Sequence, residues 1–129
     1  MSALSPSGAA LVKVMGEMPR GPRREGVFAL WLTLRVTEDL LQNPASPDRA
    51  TRRRVAALET RLSSLILPAP LRRALAAALA ELREPRRELA AILLQQLVAP
   101  AREAVGAEAA EALSRAARSA SQRLREEPE

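Results

Sequence analysis

Ten prolines cut this 129-residue chain into short runs. Proline lacks an N–H and clashes with the preceding helical turn, so it is tolerated between helices or in a first turn and resisted elsewhere. Within the runs, apolar residues recur at three- and four-residue steps, the period of one helix face. The hydrophobes are mostly Ala and Leu, which favour helix over sheet. The chain is therefore predicted to be all-α: a compact five- or six-helix bundle, with helices at about 7–18, 23–42, 47–65, 70–83, 85–99 and 107–126. Its length suits a single domain, 1–129, with 1–6 and 127–129 expected to fray.

One stretch organises the reading. Gly26 to Leu34 is the most apolar long window, carries no charge and holds the only aromatics, Phe28 and Trp31. A helix apolar all round belongs inside a bundle, so this window is predicted to be buried on nearly every side. The first helix is expected to be capped by Ser7 and to present Leu11, Val14, Met15 and Met18 as one stripe. Ser46 reads as an N-cap for the third helix, with Pro47 at its first position. Its stripe is Val55, Leu58, Leu62 and Leu65, and that of the fourth helix is Leu71, Leu75, Ala78, Leu79 and Leu82. Pro85 is expected to start helix five, whose apolar run is broken only by Gln95 and Gln96, and Pro100 to kink or end it. Ala109, Ala112, Leu113, Ala116, Ala120 and Leu124 form the inward face of the last helix. Helices two and five are predicted to be central.

A short motif recurs. Arg20-Gly21-Pro22-Arg23-Arg24-Glu25 and Arg83-Glu84-Pro85-Arg86-Arg87-Glu88 agree at five of six positions, 63 residues apart. Each precedes a strongly apolar helix. Either Pro-Arg-Arg-Glu is a convenient helix start in an Arg-rich chain, or a three-helix unit is duplicated over 1–63 and 64–129. Duplication would place Phe28 and Trp31 in the same core layer as Ala91 and Leu94.

Composition narrows the chemistry. The absence of Cys removes disulfides and thiol catalysis, and the absence of His removes the usual proton carrier near neutral pH. Zinc and di-iron sites lose their ordinary ligands for the same reason. A carboxylate-only Mg²⁺ site would have to use Glu38 and Asp39, which read instead as a solvated helix edge beside Arg35. Met15 and Met18 lie at core spacing, so neither is read as a metal ligand. Ser63 and Ser64 have no base to activate them, and no glycine-rich phosphate loop occurs. No cofactor is expected, and an enzyme is the third choice.

The net charge is +5, and 19 of the 20 basic residues are Arg. Residues 1–67 carry ten basic groups against six acidic ones, whereas 102–129 carry five against six. An anion-facing surface is therefore expected in the first two-thirds. Arg49, Arg52, Arg53, Arg54 and Arg61 share one helix, and Arg23 and Arg24 would add to their field. These seven form the candidate nucleic-acid or anion-binding set, because Arg–phosphate contacts dominate non-specific affinity. Against it, no aromatic lies among them in sequence to stack a base. The alternative partner is protein. Helices two and five are apolar on many sides, and the alanine faces of helices four and six would accept a second copy. A non-catalytic interaction or assembly subunit, adaptor or scaffold, that self-associates or binds a protein partner is the first expectation. A nucleic-acid-binding accessory protein is the second. No apolar run reaches the roughly 20 residues of a membrane-spanning helix, and no signal peptide is recognised, so a cytoplasmic protein without peripheral membrane contact is expected.

Overall fold

A computed structural model of the chain describes residues 5–42, 49–83 and 86–126. These form six helices and, among the described residues, no strand: α1 Pro6–Glu17, α2 Pro22–Gln42, α3 Arg49–Ser63, α4 Ala69–Glu81, α5 Arg87–Val105 and α6 Ala107–Glu126. The fold is an all-α bundle, as the proline spacing and the helical period imply.

Helices α2 and α5 are the hub. Helix α5 packs on α2, α4 and α6, and α2 packs in addition on α1 and α3. Helix α1 bridges α2 and α6. The most extensive contact joins α5 to α6. These two are linked by Gly106 alone, whose φ of 106° lies in the region that favours glycine. Its N–H donates back to the carbonyls of Ala101 and Arg102, closing the end of α5. Six alanines of α6, including Ala109, Ala112 and Ala116, are buried against neighbours. Alanine is the strongest helix former and adds no bulk, so the partner axes can approach closely. Leucines fill the remaining interior: Leu30, Leu34, Leu75, Leu94, Leu97 and Leu113 are all almost fully buried. Two polar groups share it without penalty. The hydroxyls of Thr33 and Thr37 donate to the carbonyls of Ala29 and Leu34, at 2.9 and 2.8 Å.

Four expectations need correction. The cap of α1 is Ser5, whose hydroxyl accepts from the N–H of Gly8 at 3.0 Å, while Ser7 is buried one residue inside the helix. Proline is at home in a first turn, so the helix starts at Pro6 and not at Ser7. Pro100 does not end α5, which runs on to Val105. Only one ladder bond is lost at Pro100. Ala101 and Val105, at 0% and 2% exposure, tie the segment beyond it into the core, and that packing outweighs the loss. Helices α3 and α4 stop two residues short of the expected ends, at Ser63 and Glu81. After α3, the hydroxyls of Ser63 and Ser64 take the carbonyls of Thr60 and Arg61 and the last turn tightens. The fourth correction concerns the organising window. Val27, Ala29, Leu30 and Leu34 are buried, but Phe28 and Trp31 are only half-buried and lie along one flank of α2.

Several readings fall outside the described residues: the Ser46–Pro47 start of the third helix, the Pro85 start of the fifth, the Glu84-Pro85 part of the repeated motif and the fraying at 127–129. Of the positions tied to duplication, Ala91 and Leu94 are buried, whereas Phe28 and Trp31 are half-buried.

Candidate functional site

The two aromatics organise the α2 flank. Their spacing of three residues on a helix brings the rings together, with centroids 6.0 Å apart and planes 23° from parallel. Each ring carries a guanidinium. Arg35, one turn after Trp31, lies 5.2 Å from the indole centroid, and Arg61 of α3 lies 5.5 Å from that of Phe28. Such cation–π contacts are worth about 0.5–1 kcal/mol at exposed sites. The Trp31–Arg35 pairing is readable from its i,i+4 spacing, whereas the Phe28–Arg61 pairing exists only because α3 folds back along α2.

At the Phe28 end, the last turn of α1, the start of α2 and the segment after α3 enclose an open groove. Met15, Phe28, Leu65 and Ile66 form its apolar lining, and Arg20, Arg24 and Arg61 stand around it. Ile66 is 71% exposed, the most exposed large hydrophobe among the described residues. It is held there by its backbone, because the N–H of Ile66 donates to Oε2 of Glu25 at 3.2 Å. Sequence periodicity cannot find this residue, since it lies past the end of the helical stripe.

Toward the other end of α2 lies a cavity of about 280 Å³. Trp31, Arg35, Glu38, Asp39 and Leu41 of α2 form one wall. The start of α1 adds Ser5, α5 adds Leu94, and α6 adds Ala116, Ser119, Ala120 and Arg123. The carboxyl of Glu38 is half-buried here and its pKa is raised. Burial is the main cause, since it penalises the charged form. Asp39 pushes the same way, while the Ser5 hydroxyl and Arg35 pull against them. Asp39 itself sits at the rim, 3.6 Å from Arg54, with both side chains about half exposed, so this ion pair adds little. The Nε1–H of Trp31 is buried and has no acceptor among the described residues. Leaving such a donor unsatisfied costs about 1–3 kcal/mol.

The raised Glu38 pKa makes a prediction. Folding holds the Glu38 proton more tightly than the unfolded chain does, so its contribution to stability is complete at low pH and is lost as pH rises through the folded value. Glu38→Gln cannot ionise, yet it can still accept from Ser5. Its melting temperature is expected to match the parent's near about pH 4 and to exceed it at neutral pH. Thermal unfolding at both pH values checks this; equal curves at neutral pH would show that Glu38 ionises there without cost.

The seven arginines do not converge on one surface, although Arg24 and Arg61 meet at the groove. Arg49, Arg52, Arg53 and Arg54 lie exposed on the first half of α3. Arg61 is at the far end of that helix over Phe28, and Arg24 lines the groove. Arg23 points away from both, with its Nη2 donating to the carbonyl of Val105 at 3.5 Å. Gln95 and Gln96 are exposed and, with the 51%-exposed Ile92, face a shallow trough between α5 and α6. Among the described residues, no three acidic side chains gather as a metal site would require, and no helix is long and apolar enough to cross a membrane. Comparison with known protein families, with curated proteins and with solved structures finds no match.

Proposed function

We propose that this chain is a non-catalytic interaction subunit that docks a protein partner, or a second copy of itself, in the groove between α1, α2 and α3. The exposure of Ile66 beside Phe28, Leu65 and Met15 carries the reading. Burying one such side chain fully is worth about 1.5–3 kcal/mol, and this fold leaves that gain unrealised in the monomer. Aromatic and Arg side chains at the edge of an apolar pocket are the residue types that concentrate binding energy at protein interfaces. The three arginines favour a partner surface whose apolar anchor is flanked by acids.

Ile66→Asp tests it. The side chain is already in water, so circular dichroism and the melting temperature are expected to stay as in the parent. Association is expected to disappear, read as oligomeric mass by light scattering and as the stoichiometric partner retained on purification. The reading fails if the variant keeps the parent's mass and its partner.

A second reading rests on Arg49, Arg52, Arg53 and Arg54, four exposed cations on one half-helix, of which Arg54 meets Asp39. A nucleic-acid backbone fits that row by charge. Replacing Arg52, Arg53 and Arg54 with Glu is expected to abolish duplex binding in a low-salt filter assay. In the parent, affinity is expected to fall linearly on a log–log salt plot, with a slope of roughly −0.9 per phosphate neutralised. A flat salt response, or no binding at low salt, rules this reading out.

A further inference from the structure

We infer that the cavity between α2, α6 and the start of α1 binds a small amino-carboxylate, an apolar α-amino acid or a molecule of the same pattern. It shares no residue with the groove around Ile66, so the two sites stand or fall separately.

Three features of the wall specify the ligand. Arg123 of α6 lines the cavity and meets no acidic side chain among the described residues, although Glu38 and Asp39 line the same space. A guanidinium binds a carboxylate by two parallel hydrogen bonds. This unpaired guanidinium calls for a negative group.

The second feature is Glu38. It is half-buried and draws on the Ser5 hydroxyl, while Arg35 is also engaged over the Trp31 ring. A ligand ammonium would give this carboxylate the close counter-charge that its desolvation calls for. A bare anion fails here, because it brings a further negative charge beside Glu38 and Asp39 with nothing to offset it. A bare amine fails at the other side, where it leaves Arg123 unserved. One molecule bearing both groups answers both.

The third feature is the apolar part of the lining. The half-buried Trp31 supplies most of it, with only the edges of Leu41 and Leu94 showing beside the ring, and a short aliphatic body can lie there. The volume of about 280 Å³ leaves room for a molecule the size of leucine. Four helices supply the wall, so the site is held by the packed bundle.

Trp31 is the only tryptophan, and its emission reports this cavity directly. The experiment titrates the full chain with four probes: L-leucine, isocaproate, isoamylamine and inorganic phosphate. Calorimetry runs in parallel, so that the result does not rest on the fluorophore alone. L-leucine is expected to give a saturable change in emission with a matching heat. Isocaproate lacks the amine and isoamylamine lacks the carboxylate, and each is expected to bind at least roughly tenfold more weakly, the worth of one charge-assisted hydrogen bond. Arg123→Ala, on an exposed helical position, and Glu38→Gln, which keeps the Ser5 contact, are expected to lose a similar factor while their circular dichroism stays unchanged. The inference is overturned by a flat L-leucine titration, by isocaproate or phosphate binding as tightly as L-leucine, or by an Arg123→Ala protein that binds as the parent does.

Discussion

Leu30→Ala is expected to destabilise the fold by about 2–5 kcal/mol, the range for truncating a buried leucine. Its side chain is 0% exposed in α2, one of the two hub helices, and joins the main core cluster. Little around it can relax inward, because α2 is clamped by α1, α5 and α3 at once. The cost combines the lost transfer energy of three carbons with the cavity they leave. A domain of this size has about 5–15 kcal/mol of total stability, so the variant gives up a large fraction of it. Urea unfolding followed at 222 nm, with the slope unchanged and the midpoint lowered, is the measurement. A midpoint shift worth less than about 1 kcal/mol would mean that the position is not enclosed as described.

Gly26→Val is expected to cost a further class of energy, overpacking, of about 1–3 kcal/mol. A Cβ at Gly26 would lie 2.8 Å from Cγ1 of Val105 and 3.0 Å from Cδ2 of Leu71. The Leu71 methyl can swing aside, but the Val105 methyl is fixed by its branched Cβ and by the turn at Gly106 that follows. The start of α2 therefore approaches α4 and the end of α5 as closely as it does because position 26 has no side chain. Gly16→Ala is the matched comparison. Nothing lies within 4 Å of its Cβ position, so replacing this helical glycine is expected to raise stability by roughly 0.5–1 kcal/mol. Melting temperatures that move in opposite directions for the two variants confirm the contrast. Parallel shifts would contradict the close approach at Gly26.

Much of the fold is legible in the order of residues, and the reason is local. Apolar period, proline position and the acid-to-base drift of α6 all act within a few turns, and together they place α6 at Ala107–Glu126 without error. The stripes of α3 and α4 are likewise buried as read, apart from the half-buried Leu65. What escapes is decided by partners distant in sequence. Pro100 looks like a stop until Val105 is seen packed beside Gly26 and the helix is found to continue past it. Phe28 and Trp31 look like the deepest residues because they are the largest. Yet α3 makes only a modest contact with α2, so the aromatic flank keeps one side in solvent under Arg61 and Arg35. The candidate sites are less legible still. The cavity joins Glu38 to Arg123, 85 positions apart, and the groove depends on Ile66, which no stripe includes.

The contact of α1 with α6 also has a bearing on how the chain comes off the ribosome. Helix α1 emerges first of the six, but one of the two surfaces it rests on is translated last. Until α6 arrives, α1 has only α2 to lean on, and a 12-residue helix is marginal in water when alone. Helices α5 and α6, joined by one residue, can instead pair as soon as both are free of the exit tunnel. The α1–α6 seam therefore cannot close until α6 has been made, and completion of the bundle waits on that helix.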